Sequence, residues 1–211
     1  MTSKLMSTLA VATFAAAVST IAAAPSATAE PCPDVQVIFA RGTTEPAGLG
    51  SVGGPFVEDL RAKVAPQSVV GTAVDYPATN DFGNSVPAGT SAARALIEST
   101  AASCPNTKMV LGGFSQGAAV VQLAANEATA QSGDHVAASA LFGAPRSSFS
   151  SMLASGQALP SLAPQYAANA IDQCNVGDPI CWEGGMDMGA HVSYVQSGKV
   201  AQAADFVAAR V

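Results

Sequence analysis

The sequence predicts an α/β domain of about five strands in a mostly parallel sheet, with helices on both faces. Three observations lead there. Short β-branched and aliphatic runs alternate along the chain with stretches whose apolar positions recur at helical spacing, the order a parallel sheet needs because each crossover is a helix. A Gly-x-Ser-x-Gly pentapeptide stands where one of those runs passes into a helical stretch. Of the 211 residues, 49% are hydrophobic and only 11% charged, which excludes a disordered chain and predicts one domain able to fold as a monomer.

In chain order, residues 1–29 carry one cation, Lys4, then an Ala/Val/Leu-rich run over 5–24, then Pro25 and a small-x-small end at Ala27-Thr28-Ala29. That is the pattern of an export signal cleaved after Ala29. Ser7, Thr8, Thr13, Ser19 and Thr20 dilute the run too much for a membrane anchor, and no later segment is apolar enough to span a bilayer. The domain is therefore residues 30–211. Residues 35–40 form the first apolar strand, and Phe56, Val57, Leu60 and Val64 share one face of the first helix. A second strand is expected at 69–76 and a second helix around Ala92, Leu96, Ile97 and Ala101. Strand 109–113 is followed by an Ala-rich helix over 117–130 with Val120, Val121 and Leu123, and strand 136–142 by a weakly periodic segment, 147–164. Pro160 and Pro164 break that segment, so it reads as surface with at most a short helix. A weaker strand at 169–172 and a terminal helix at 200–211 complete the order.

Nine Lys+Arg against 15 Asp+Glu, a formal charge of −6, offer no basic cluster for phosphates and exclude a nucleic-acid partner. Cys32, Cys104, Cys174 and Cys181 all follow the signal, so an oxidising compartment makes two disulfides the expectation. Three pairings are open. Cys174 and Cys181 are close enough in sequence to close a small loop. There is no Cys-x-x-Cys, and the two histidines lack ligand spacing, so a zinc site is not expected.

The chemistry centres on Gly113-Phe114-Ser115-Gln116-Gly117. Between strand and helix this sequence makes a tight turn, with Gly at the positions of close contact, which holds the Ser115 hydroxyl clear of the backbone at the sheet edge. The helix start behind it offers free N–H groups to a developing oxyanion. A serine nucleophile needs a base, and the chain holds only His135 and His191. His135 follows Ser115 too soon and is expected at the surface, at the start of a strand. His191 stands after the last strand, where a loop can return it to the sheet edge. Asp172, Asp178, Glu183 and Asp187 all qualify by order as the acid; Asp178 is favoured because Cys174 and Cys181 bracket it and would fix its loop. Oxyanion donors are expected from the Gln116 N–H and from Arg41-Gly42-Thr43-Thr44-Glu45, where Thr43 offers an N–H and a hydroxyl.

With these pieces in place, the sequence resembles the cutinases, small secreted serine esterases of the α/β-hydrolase fold, and in particular the cutinase-like proteins of mycobacteria and related actinobacteria. The resemblance rests on Phe39-Ala40-Arg41-Gly42-Thr43-Thr44-Glu45, Gly113-Phe114-Ser115-Gln116-Gly117, Cys174-Asn175-Val176-Gly177-Asp178-Pro179-Ile180-Cys181 and Ala190-His191, in family order across the mature chain. It implies a lidless α/β-hydrolase with Ser115 as nucleophile, Asp178 as acid and His191 as base. It also implies Thr43 and Gln116 at the oxyanion hole and bridges Cys32–Cys104 and Cys174–Cys181. Many fungal members have Ser where Thr43 stands, so the added methyl bears on the hydroxyl's rotamer.

The implied reaction is acyl transfer through an acyl-enzyme, with no metal or organic cofactor. Short-to-medium acyl esters are the expected substrates, with polyesters or lipids as natural targets. Phe82, Val86, Ile180, Trp182, Met186 and Met188 are expected to form an apolar lip around the site, although Trp182 could equally pack beneath the loops. The alternatives are a lipase, phospholipase or thioesterase acting on long-chain envelope lipids, and a non-catalytic lipid- or envelope-binding protein. The expected location is extracellular, with cell-wall association as the variant.

Overall fold

The computed structural model describes residues 31–211; the expected export signal at 1–29 lies outside the described residues. The elements follow in the order β1 (Val35–Ala40), α1 (Gly50–Val64), β2 (Val69–Ala73), α2 (Phe82–Ser103), β3 (Lys108–Phe114), α3 (Gln116–Glu127) and α4 (Ala130–Gly133), then β4 (Val136–Phe142), α5 (Ser148–Leu153), α6 (Pro164–Ala167), β5 (Ala170–Gln173), α7 (Met188–His191) and α8 (Lys199–Ala208). The five strands form one sheet in the order β2-β1-β3-β4-β5, and every pair is parallel. This is the expected architecture, with a sheet parallel throughout.

Strand alternation sends side chains to two separate cores. Val35, Val37 and Phe39 of β1 join α1 and α8 on one face, while Ile38 and Ala40 join α2 and α3 on the other. The first core is knit by Phe39, Phe56 and Phe142, whose ring centroids lie 5.9–6.4 Å apart. Such pairs contribute about 0.5–1.5 kcal/mol each beyond area burial. The Phe39 ring also explains a glycine inside β3: a Cβ at Gly112 would collide with Phe39 Cδ2.

Several boundaries differ from the sequence reading, for local reasons. β2 stops at Ala73 rather than 76, because after Val74 N–H donates to the Phe39 carbonyl (2.9 Å) the chain turns and Tyr76 is buried with its hydroxyl on the Arg41 carbonyl (2.5 Å). The Ala-rich helix ends at Glu127, where Ala128 becomes extended, and α4 is a separate turn capped by the Thr129 side chain. The terminal helix ends at Ala208. The four-residue helices α6 and α7 are too short to leave a periodic signal.

The cysteines form Cys32–Cys104, which ties the segment before β1 to the end of α2, and Cys174–Cys181, which closes a small loop after β5. Loop-closure arithmetic gives the long bridge roughly 4 kcal/mol. Two disulfides suit an oxidising compartment. Among the described residues, no helix is long and apolar enough to cross a membrane.

The strand order also locates the site. From β1 the chain passes to β2 on one side and then returns to place β3 on the other, so the loops leaving β1 and β3 diverge at their C-terminal ends, where Ala40 pairs with Gly113. In an open parallel sheet this switch point is where a crevice forms.

Candidate active site

Ser115 sits at that crevice, between β3 and α3, with φ 54° and ψ −120°. This conformation is strained for a residue with a side chain and persists only where the surroundings enforce it. Both flanking glycines are required by contact. A Cβ on Gly113 would overlap the Gly117 carbonyl, and one on Gly117 would overlap the Ala40 carbonyl of β1. The Ser115 N–H is fixed on the Phe142 carbonyl (2.8 Å) of β4.

His191, the last residue of α7, is buried, and its Nε2 lies 2.9 Å from Ser115 Oγ. Its Nδ1 lies 2.9 and 2.8 Å from the two carboxylate oxygens of Asp178, which is fully buried. An ionised carboxylate can only accept, so Nδ1 carries the proton and the Nε2 lone pair faces the serine hydroxyl. Burial pushes the Asp178 carboxyl up, but hydrogen bonds from His191 and Tyr194, the histidine's charge and the Ile180 N–H (2.8 Å) outweigh it and hold the group below the ordinary carboxylate range. Asp178 is thus kept ionised against its burial, the state in which a carboxylate can orient an imidazole.

Two braces hold Asp178 and His191 together. The disulfide closes the Asp178 loop, and Asn175 within it donates from Nδ2 to the Ala190 carbonyl (2.7 Å), next to His191. Tyr194, fully buried, donates its hydroxyl to Asp178 Oδ2 (2.5 Å). Burial and the adjacent Asp178 push the Tyr194 phenol up, so it remains a donor. Phe114 stacks on the imidazole at 4.9 Å between centroids. Gly143, at φ 57°, passes under the ring, where a Cβ would stand 3.0 Å from His191 Cε1 and 3.1 Å from the Tyr194 hydroxyl. Tyr194→Phe removes a hydrogen bond to a charged, buried group, a change worth about 1.5–3 kcal/mol. The expected result is an Asp178 carboxyl that protonates at higher pH. Activity then falls about tenfold or more, most steeply at the acid end of the pH profile, which steady-state kinetics from pH 4 to 8 would measure.

On the opposite side of Ser115 stands the loop leaving β1. Gln116 opens α3, so its N–H has no intrahelical acceptor. Its side chain is buried rather than solvated: Nε2 donates to the Thr79 carbonyl (2.8 Å) and to Thr43 Oγ1 (3.3 Å), while Oε1 accepts from Ser85 Oγ (2.7 Å). The Thr43 hydroxyl therefore serves as an acceptor here, with its own proton free. Glu45 clamps the turn, taking the Gly42 N–H (2.6 Å) on Oε2 and the Ser51 hydroxyl (2.5 Å) on Oε1. Arg41, buried, donates to the Glu45 (2.8 Å) and Tyr76 (2.7 Å) carbonyls.

A cavity of about 940 Å³ opens beside Ser115 and His191. Of the expected lip, Phe82, Val86, Ile180 and Met188 line it. Trp182 and Met186 do not line it, and neither packs beneath the loops: they are 46% and 92% exposed. The reason is the fold-back of this loop, in which Asp187 N–H donates to the Gly177 carbonyl (2.9 Å) and Gly185 lies against the Asp178 backbone. His135 lies just before β4, at the end of the sheet opposite Ser115 as expected, but half-buried rather than at the surface. Asp172 pairs with Arg146, and Asp187 caps α7 through its contact with the Gly189 N–H (2.8 Å). Glu183 accepts from the Ser148 N–H (2.9 Å). None of these three reaches the imidazole. The sequence reading missed Tyr194 and Gly143, and quoted Phe114, Asn175, Arg41 and Glu45 without a role.

The family model described as Cutinase matches residues 31–211. Carboxylesterase Culp1 of Mycobacterium tuberculosis is 50% identical over 201 residues, covering 95% of this chain and 92% of that protein. Among solved structures, the catalytic core domain of acetyl xylan esterase from Trichoderma reesei superposes with a TM-score of 0.71 at 27% identity, over 86% of this chain and all of that one. Trichoderma reesei cutinase, in complex with a C11Y4 phosphonate inhibitor, superposes with a TM-score of 0.64 at 32% identity, over 84% of this chain and 76% of that one. With an all-parallel sheet, a strained serine at its switch point and a match across the whole described domain, the chain belongs to the cutinase family of carboxylic ester hydrolases.

Proposed function

We propose that this protein is an exported carboxylesterase in which Ser115 is the nucleophile, His191 the general base and Asp178 the orienting acid, acting on short-to-medium acyl esters. The observation that carries the proposal is the unbroken relay of 2.9 Å from Ser115 Oγ to Nε2 and 2.8 Å from Nδ1 to Asp178 Oδ2. In the first half-reaction Ser115 Oγ bonds to the ester carbonyl carbon as its proton passes to His191 Nε2. The carbonyl oxygen becomes an oxyanion, received by the N–H groups of Gln116 and Thr43. Removing one such donor typically costs about 10²–10³ in rate. Collapse of the adduct breaks the bond to the alcohol oxygen, which leaves with the proton from His191. Water then repeats the sequence on the acyl-enzyme and frees the carboxylic acid.

The similarity to a protein named carboxylesterase supports an ester as substrate. The cavity falls within the size range of small-molecule sites, about 300–1,000 Å³. The test is hydrolysis of p-nitrophenyl butyrate by the purified exported protein. Turnover supports the reading, and a folded protein with none would remove it in favour of a non-catalytic lipid- or envelope-binding role.

Export is part of the same proposal. Cleavage after Ala29 is expected to leave Glu30 as the first residue of the secreted protein, which N-terminal sequencing from culture medium would read. A start near Met1 would instead mean the segment is retained. A monomer is expected by light scattering.

A further inference from the structure

The cavity beside Ser115 extends past the expected lip, and the segment that read as featureless surface forms its far wall. After β4 the chain makes α5 and then crosses to α6, and both ends of this strap are tied down. At the start, Ser147 and Ser150 donate their hydroxyls to the carbonyls of Pro179 (2.5 Å) and Ile180 (2.6 Å), in the loop that carries Asp178. At the end, Asn126 on the last turn of α3 donates to the Ser161 carbonyl (2.8 Å) and accepts the Ala163 N–H (2.8 Å). The strap thus runs from the catalytic loop to the far end of α3.

Between these anchors it faces an apolar stripe. Ala119 and Leu123 of α3 line the cavity four residues apart on one helix face, beyond the polar Gln116 at the helix head, and Phe149, Leu153 and Leu159 line it from the strap. Phe149 and Leu153 remain 40% and 39% exposed, so their apolar surface is not consumed by packing. Of the polar lining residues, Asn80, Asp81, Ser155 and Gln157 are solvent-exposed, while Ser150 is buried with its hydroxyl on the Ile180 carbonyl.

We propose that this trough along α3, walled by residues 148–160, is an acyl-chain subsite sized for a linear chain of about ten carbons. The inference rests on Ser115 being the nucleophile. From Ser115 to Leu123 the helix advances about 12 Å. An extended chain advances about 1.25 Å per carbon, from C–C bonds of about 1.52 Å at about 111°, so about ten carbons reach Leu123. The acyl side is favoured over the alcohol side because the carbonyl oxygen is received at Gln116, at the head of α3. The leaving oxygen must instead face His191 on α7.

The test compares kcat/KM for p-nitrophenyl esters from acetate to palmitate with a parallel series of alkyl butyrates, in the wild-type protein and in Leu123→Trp and Ala119→Leu. Active sites are counted by fluorophosphonate labelling, so that misfolded protein is excluded from the rates. The expected wild-type optimum is near decanoate. Each buried methylene is worth up to about fourfold, so blocking even the last few lowers the decanoate-to-butyrate ratio tenfold or more in Leu123→Trp. Ala119→Leu, nearer the serine, moves the optimum to shorter chains. Unchanged ratios in correctly labelled variants would overturn the subsite, as would length dependence confined to the alkyl butyrates. Absence of labelling and of hydrolysis at every chain length would instead overturn the assignment of Ser115.

Discussion

Ser115→Ala is expected to lower kcat for p-nitrophenyl butyrate by at least about 10⁴-fold while leaving the thermal unfolding midpoint close to that of the wild type. The size follows from the relay: without Oγ no acyl-enzyme forms, and residual rate comes only from oxyanion donors and binding, about 10³–10⁴ above water in comparable sites. Stability should not suffer, because Ser115 Oγ bonds only to His191 among the described side chains, and the turn is held by the Phe142 carbonyl and the flanking glycines. Alanine has the same φ penalty as serine, so the strain at φ 54° is unchanged. Initial rates of p-nitrophenyl butyrate hydrolysis and a melting curve on the same preparation check both halves.

Asp178→Asn should cost a similar amount, about 10⁴ in kcat. An amide can present its NH₂ to His191 Nδ1, which favours the tautomer with the proton on Nε2 and leaves no lone pair to take the serine proton. The Tyr194 hydroxyl and the Ile180 N–H, both donors aimed at Asp178, must then compete for one amide oxygen. The pH dependence has a definite sign. The folded carboxyl is held below its ordinary value of 3.8, so its ionisation stabilises the fold above that pH and the contribution is lost as pH falls through the folded value. Urea unfolding at pH 6 and pH 3 should therefore find the gap between wild type and Asp178→Asn narrowing at the lower pH. A gap that widened on acidification would mean that Asp178 is not held ionised by its partners.

How much of this was legible in the sequence depends on the range of each interaction. Strands β1 and β4 could be read residue for residue because their apolar runs are continuous and sharply bounded. The first half of α1 could not, since Gly50, Gly53, Gly54 and Pro55 are poor helix formers. Gly53 is there for a tertiary reason, because a Cβ would stand 2.5 Å from Phe39 Cδ1. Ser115, Asp178 and His191 were visible because each lies in a short motif with local chemistry. Tyr194 was not, because its role is one hydrogen bond to a residue that only the fold brings near. Trp182 and Met186 were misplaced for the converse reason: apolar character next to a site does not fix direction, and the fold-back of the Asp178 loop leaves both exposed outside the cavity. The strap at 148–160 was passed over because its anchors, Ser147, Ser150 and Asn126, look like ordinary surface polar residues until their carbonyl partners are known.

The central claim is that Ser115, activated by His191, is the single nucleophile of this esterase. Its most direct test is labelling of the intact protein with a fluorophosphonate, followed by peptide mass spectrometry and a parallel assay of ester hydrolysis. The predicted result is one adduct per chain, on Ser115, with hydrolysis lost in proportion to labelling. An adduct on another residue, or hydrolysis that survives complete labelling of Ser115, would contradict it.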